Sequence, residues 1–343
     1  MAFRRHRGKI LFLIVTLGLI VQVTAKTPVW IENVMAWTIN AQFQRAEDTL
    51  QQEIAQTDSA LAPCFYLASV LNSKMNFNEN QREAFEFEHL LKYIIRKSNQ
   101  YLQQPNQNDS LLARLYFYRG SAYGYWAYFQ GQTGQWFAAL KNGLKAVGDL
   151  KRAVALDSTL YEAYLGLGTY KYWRSTKLKF ALWLPFVPDQ RQEGINDIKR
   201  ALRSKSNSRF MALHQLIYIL TDYGKYDEAL HYAKEGINAF PESPFMWWAY
   251  AHTYFKAHDY PQAVKAYSHL LDLIENNPWA NQSHWLACQV RLAEIYRRMG
   301  QTDKAHQIAA LVLEREKIFP PSSLNKKRLE RAREIFRLTG KGE

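Results

Sequence analysis

Tyr226-Asp227-Glu228-Ala229 and Tyr260-Pro261-Gln262-Ala263 stand 34 residues apart, each behind an aromatic-rich helical run, and Pro241 closes the first unit. A fixed period in this range marks a solenoid, in which each unit buries its apolar face only against its neighbours. Outward from that pair, almost everything after Thr27 carries apolar residues at spacings of three and four, the period of an amphipathic helix, and no stretch alternates in twos. Breakers rich in Pro, Ser, Asp and Asn separate the runs, as at Pro105–Asp109, Asp157-Ser158, Pro241–Pro244 and Pro320-Pro321. Asp109-Ser110 is read as one helix cap. The chain is therefore expected to be all-α.

Its 343 residues, 48% hydrophobic, are ample for a large core. Cys64 and Cys288 sit in separate apolar helical runs and are expected as free buried thiols.

The residues around the 34-residue period resemble the tetratricopeptide repeat, whose unit is two antiparallel helices. The unit near Phe245 offers Trp247, Tyr250, Ala251, Tyr254, Ala263 and Tyr267 at the family's packing positions. The unit before it offers Leu213, Leu216, Leu220, Ala229, Ala233, Gly236 and Pro241, with Ile217 where a small residue is usual. A later unit offers Leu292, Ala293, Tyr296 and Ala305, and a degenerate pair lies at Ala46, Leu50, Leu67, Ala68 and Leu71. The resemblance spans about Asn40 to Val312 and implies a right-handed solenoid of antiparallel helix pairs. Its small residues mark the closest helix approaches.

The middle of the chain departs from the family. Asp149-Leu150-Lys151-Arg152-Ala153-Val154 returns 48 residues later as Asp197-Ile198-Lys199-Arg200-Ala201-Leu202, and Gly120 returns as Gly168. Two neighbouring units thus carry matched insertions of about 14 residues, either longer helices or packed loops, about four helical turns if helical. The expected layout is extended units over about 111–204, standard units over about 210–275, and a final unit with a capping helix over about 284–340. In the cap, Leu324, Ile335 and Leu338 are expected to face inward.

The first 25 residues form an address. Basic Phe3–Lys9 precedes an apolar, uncharged run from Ile10 to Val23, and Val23-Thr24-Ala25 fits a signal-peptidase site. This pattern predicts a secretory signal peptide, Met1–Ala25, cleaved after Ala25, and a mature chain exported to the periplasm or cell envelope. An uncleaved N-terminal anchor is the alternative, although the run is shorter than the ~20 residues a spanning helix needs. The net charge is +13, of which +9 remains beyond residue 25. Export removes nucleic acid as a partner for that charge.

In repeats of this type, set positions on the first helix of each unit line the concave face. By that resemblance, the candidate partner-binding residues are Phe117, Tyr125, Tyr172, Trp173, His214, Tyr218, Trp248, His252, Phe255, Lys256, Arg297 and Arg298, with Glu294 on the same face. Such a groove, aromatic in the middle and basic toward its C-terminal end, suits a protein or peptide partner carrying an acidic segment, with Arg297 and Arg298 as anchors. The plainer reading of each ring is packing between helices, and of Lys256, Arg297 and Arg298 a solvated face.

A second candidate is the apolar stretch Phe180–Val187 with Trp183. Ten Lys or Arg against three acids over residues 171–209 flank it, so it could touch an anionic membrane surface or pack on the preceding insertion. No catalytic constellation, metal-ligand spacing, phosphate-binding loop or cofactor motif is found in the sequence. A binding or scaffolding module is therefore expected, against the rival of a helical enzyme or small-molecule binder with its site in the groove.

Overall fold

The computed structural model describes residues 28–57, 60–178, 188–203, 206–277 and 280–340. Both the segment expected to be a signal peptide, Met1–Ala25, and the Phe180–Val187 stretch lie outside the described residues. Within them the chain forms fifteen α-helices and no strand. None of these helices is long and apolar enough to cross a membrane.

Successive helices pair antiparallel and stack. The pairs are α3 (Leu61–Asn78) with α4 (Ala84–Leu102), α5 (Asp109–Gln132) with α6 (Trp136–Leu156), and α7 (Tyr161–Lys177) with α8 (Arg191–Arg203). They continue as α9 (Arg209–Tyr223) with α10 (Tyr226–Ala239), α11 (Pro244–Lys256) with α12 (Tyr260–Asn276), and α13 (Gln282–Arg298) with α14 (Thr302–Glu314). The first helix of each pair touches the first helix of the next from α3 through α11, so these helices form the inner layer. The fold is a tetratricopeptide-like solenoid.

Small residues lie where the register predicts. Gly120, Ala146, Gly168, Ala229, Ala251 and Ala263 are all buried. The duplication at 48 residues is a duplication of one helix crossing. A Cβ on Gly120 would fall 2.9 Å from Asp149 Cβ, and one on Gly168 would fall 2.5 Å from the Gly194 carbonyl and 3.0 Å from Asp197 Cβ. Each crossing also carries a charge clamp. Arg119 donates twice to Asp149 at 2.7 Å, and Lys171 reaches Asp197 at 2.6 Å.

The first insertion is helical. α5 has 24 residues and α6 has 21, against 15 and 14 in α9 and α10, and a turn through Gly134 at φ +80° joins them. The second insertion falls between α7 and α8, largely outside the described residues. Asn108, one residue before the expected cap, closes the start of α5 by accepting from the Leu111 N–H at 2.8 Å. Both cysteines are free and buried, and Cys288 Sγ lies 3.3 Å from the Tyr267 carbonyl.

The N-terminal helices break the simple picture of an open trough. α1 (Val29–Ile39) is followed by α2 (Phe43–Gln56), and α1 touches α3, α9 and α11. Val34, Met35 and Ile39 are almost fully buried, each stabilising the fold by roughly 1.5–3 kcal/mol. The Ser243 hydroxyl donates to the Ile39 carbonyl, and Phe43 meets Phe245 edge-on at 6.3 Å. α3 has 13 buried residues out of 18, on all its sides, because α1, α2, α4 and α5 all pack against it.

The tip of α3 then reaches the far end of the solenoid. The Phe77 carbonyl accepts from His284 Nε2 at 2.9 Å, and the two rings lie 4.3 Å apart. Glu79 and Arg328 form a two-pronged ion pair at 2.5 Å, joining α3 to the last helix, α15 (Ser323–Thr339). Glu79 ends α3 in the left-handed region at φ 52°, where Gly or Asn is the usual choice. Its grip on Arg328 explains why a carboxylate stands there. In α15 only Ile335 of the three expected residues is buried. Leu324 and Leu338 are exposed, because α15 rests on α13 and α14 along the Ala332 and Ile335 face alone.

Candidate functional site

Once the N-terminal helices are in place, part of the inner layer remains open as a cavity of about 520 Å³ between the tip of α3 and helices α9, α11, α13 and α15. Its floor is aromatic. From α9 come His214 and Tyr218, one turn apart and 5.0 Å between centroids. From α11 come Trp248 and His252, also one turn apart. His252 stacks on Tyr218 at 5.8 Å, and Trp248 meets Tyr267 edge-on at the same distance. The aromatic positions of successive inner helices therefore meet face to face, as the i, i+4 spacing dictates.

Burial holds both imidazoles neutral. His214 is pushed down to about 4 by loss of solvent, and His252 to about 4 by burial together with the Arg291 and Lys256 charges. At neutral pH the floor is an uncharged aromatic platform.

The rim is basic. α13 supplies Arg291, and α15 supplies Lys327, Arg328 and Arg331, facing Glu79 and Glu294. The Arg291 guanidinium lies 4.3 Å over the Phe255 ring and donates to Glu294 at 3.2 Å. Burial alone would raise the Glu294 carboxyl, but Arg298, Arg291 and Arg331 together hold it below its ordinary value. Four cationic groups against two carboxylates leave the rim positive. A carboxylate or other anion entering here would find guanidinium donors already oriented by Glu294.

Of the twelve candidates from the sequence, this cavity brings together His214, Tyr218, Trp248 and His252. Phe255 sits beside it but is buried beneath Arg291 and Arg298. Arg298 shares the α13 face of Arg291 and Glu294 one turn further on. Its guanidinium is committed to Glu294 at 2.8 Å, Tyr260 at 3.4 Å and the Phe255 ring at 5.1 Å. Arg297 and Lys256 are not among the lining residues.

The remaining four are packed away. Phe117 is buried against Phe65 of α3 at 5.2 Å, and Tyr125 donates to Ser69 of α3 at 2.9 Å. They lie on the predicted side of α5, which α3 covers. Tyr172 is 1% exposed and donates to Asp222 Oδ2 at 2.6 Å, tying α7 to α9, and Trp173 meets it edge-on.

Sequence reasoning missed Phe77, His284, Arg291, Lys327, Arg328 and Arg331. The basic run in α15 is plain in the sequence, but only the curl of the solenoid turns the cap helix toward the cavity. No group of three or more potential metal ligands occurs among the described residues.

No protein-family model matches the chain, and no curated protein does. Solved structures offer loose likenesses. PilW, a widely conserved type IV pilus biogenesis factor, is 16% identical over 80% of this chain and all of its own, at a TM-score of 0.48. A tetratricopeptide repeat protein from Parabacteroides merdae is 15% identical, covering 89% of this chain and 97% of its own at 0.41. YrrB, a tetratricopeptide repeat protein with an unusual peptide-binding site, is 14% identical, covering 61% of this chain and 91% of its own at 0.39. At these scores the assignment of fold rests on the helix pairs themselves.

Proposed function

We propose that this tetratricopeptide-like solenoid is a binding module that captures a short, anionic segment of a partner protein in the cavity between α3, α9, α11, α13 and α15. The segment's apolar side chain lies on the Tyr218, Trp248 and His252 platform, and its carboxylate meets Arg291, Lys327 and Arg331. One observation carries this reading: a neutral aromatic floor and a positively charged rim converge on a single cavity. The volume suits a few residues rather than a long extended peptide, because α1 and α3 already occupy the rest of the inner face. Recognition is the function, and export to the cell envelope, read from Met1–Ala25, is the setting. Both belong to this proposal.

The test is peptide display against the purified chain. Enriched peptides should pair Asp, Glu or a free C-terminus with a neighbouring apolar residue. Their binding should weaken at least tenfold in Lys327→Glu and in Trp248→Ala, with Lys327→Glu unfolding at the wild-type temperature because Lys327 is exposed. Enrichment of peptides without acidic groups, or full binding by both variants, would remove the cavity from the mechanism.

A further inference from the structure

Outside that cavity, and sharing none of its lining residues, the extended α5–α6 hairpin carries a second surface. On α6, Trp136, Phe137, Leu140 and Leu144 are 70%, 93%, 64% and 58% exposed. At 100° per residue these four side chains fall within about 100° of the helix circumference, so they make a continuous apolar stripe. Scattered exposed apolar residues are ordinary, but four large ones on one stripe mark a contact surface.

Beside the stripe, a cavity of about 650 Å³ opens between α4, α5 and α6. Lys92, Arg96, Lys141 and Lys145 line it together with Tyr123 and Trp126, and no carboxylate does. Lys145 lies 4.9 Å over the Tyr123 ring and Lys92 lies 5.8 Å over Trp126. Among the described residues, the one carboxylate paired with any of these four cations is Glu88, 3.5 Å from Lys92. The sequence explains the sign of this face. From His89 to Gly148 the only acid is Asp109, at the start of α5, while the stripe begins beyond the other end of that 24-residue helix, roughly 36 Å away.

We propose that this face docks on an anionic phospholipid surface, with the α6 stripe entering the headgroup boundary and the cavity's cations meeting lipid phosphates. Apolar side chains flanked by unopposed Lys and Arg are what an acidic bilayer surface rewards. A second copy of the chain fits less well, since a two-fold contact would set these cations against themselves. Nucleic acid could stack bases on Trp136 and Phe137 but would give the aliphatic Leu140 and Leu144 nothing comparable to bury against. This surface is separate from the partner cavity, so failure of one proposal leaves the other standing.

The test attaches a polarity-sensitive fluorophore at Gln135→Cys in the full chain, where Cys64 and Cys288 are buried, with the unsubstituted chain as the labelling control. Vesicles of phosphatidylcholine with about one-third phosphatidylglycerol should shift its emission to the blue, and vesicles of phosphatidylcholine alone should not. Lys141→Glu with Lys145→Glu, and separately Phe137→Ser with Leu140→Ser, should each weaken the response at least tenfold, with circular dichroism unchanged. No shift on acidic vesicles, or an equal shift on neutral ones, overturns the proposal. So does a concentration-dependent dimer that Phe137→Ser abolishes, which would assign the stripe to a second copy.

Discussion

Two glycines inside helices should respond in opposite directions to the same substitution. Gly168, within α7, faces Gly194 of α8 so closely that a Cβ on it would lie 2.5 Å from the Gly194 carbonyl oxygen and 2.8 Å from Ile198 Cγ1. The nearest atom is backbone, so no rotamer change relieves the clash and the two helices must move apart. Overpacking of this kind costs about 1–3 kcal/mol, at the upper end where backbone is involved. Alanine recovers about 1 kcal/mol through its better helix propensity. Gly168→Ala should therefore destabilise the fold by about 2 kcal/mol. Gly148, within α6, is exposed and has no atom within 4 Å of the added Cβ, so Gly148→Ala should stabilise by about 0.5–1 kcal/mol. Urea unfolding followed by far-UV circular dichroism measures both. With a slope of about 3 kcal/mol per molar urea, the midpoints should differ by about 1 M. Equal midpoints, or a Gly168→Ala midpoint at or above the wild type, would show that the helix crossing is looser than described.

Stability should fall as pH drops from about 6.5 toward 4. The unfolded chain protonates His214 and His252 near 6.5 while the fold holds them neutral to about 4. The unfolded state thus binds more protons across that window, at a slope approaching 2.7 kcal/mol per pH unit for two groups. Urea midpoints across that range check this, and a flat profile would mean the imidazoles are not held neutral. Separately, a double-mutant cycle on Glu79→Ala and Arg328→Ala should return a coupling of about 1–2 kcal/mol, the range for a charge-assisted, two-pronged pair that is partly screened. Thermal unfolding of the four proteins measures it, and additive effects would show that the ends of the solenoid do not hold each other.

Much of the architecture was legible because it is local. The 34-residue recurrence around Ala229 and Ala263, and the paired glycines at 120 and 168, report helix crossings between neighbours in sequence, and those crossings are present. The α9 and α11 part of the aromatic floor was legible for the same reason, since His214, Tyr218, Trp248 and His252 occupy equivalent turns of successive inner helices. What was hidden is long-range. Nothing in a repeat register says that α3 will cover Phe117 and Tyr125, or that α15 will turn Lys327 and Arg331 into the groove ahead of Arg297 and Arg298. A partial signal existed in α1. Val29–Ile39 carries a single charge and apolar residues on more than one side, too many for a helix with one covered face.

The Glu79–Arg328 bridge spans 249 residues of sequence, and with Phe77 on His284 it brings the beginning of the stack against its end. In an open solenoid, units can be added or removed with little effect beyond the immediate neighbours. A stack whose first and last units are tied together has less of that freedom. One repeat more or fewer would swing α15 away from α3 by a full unit's rotation and open the cavity they share. The count of repeats in this protein is therefore held by that tie, since the two ends meet only at this number of units.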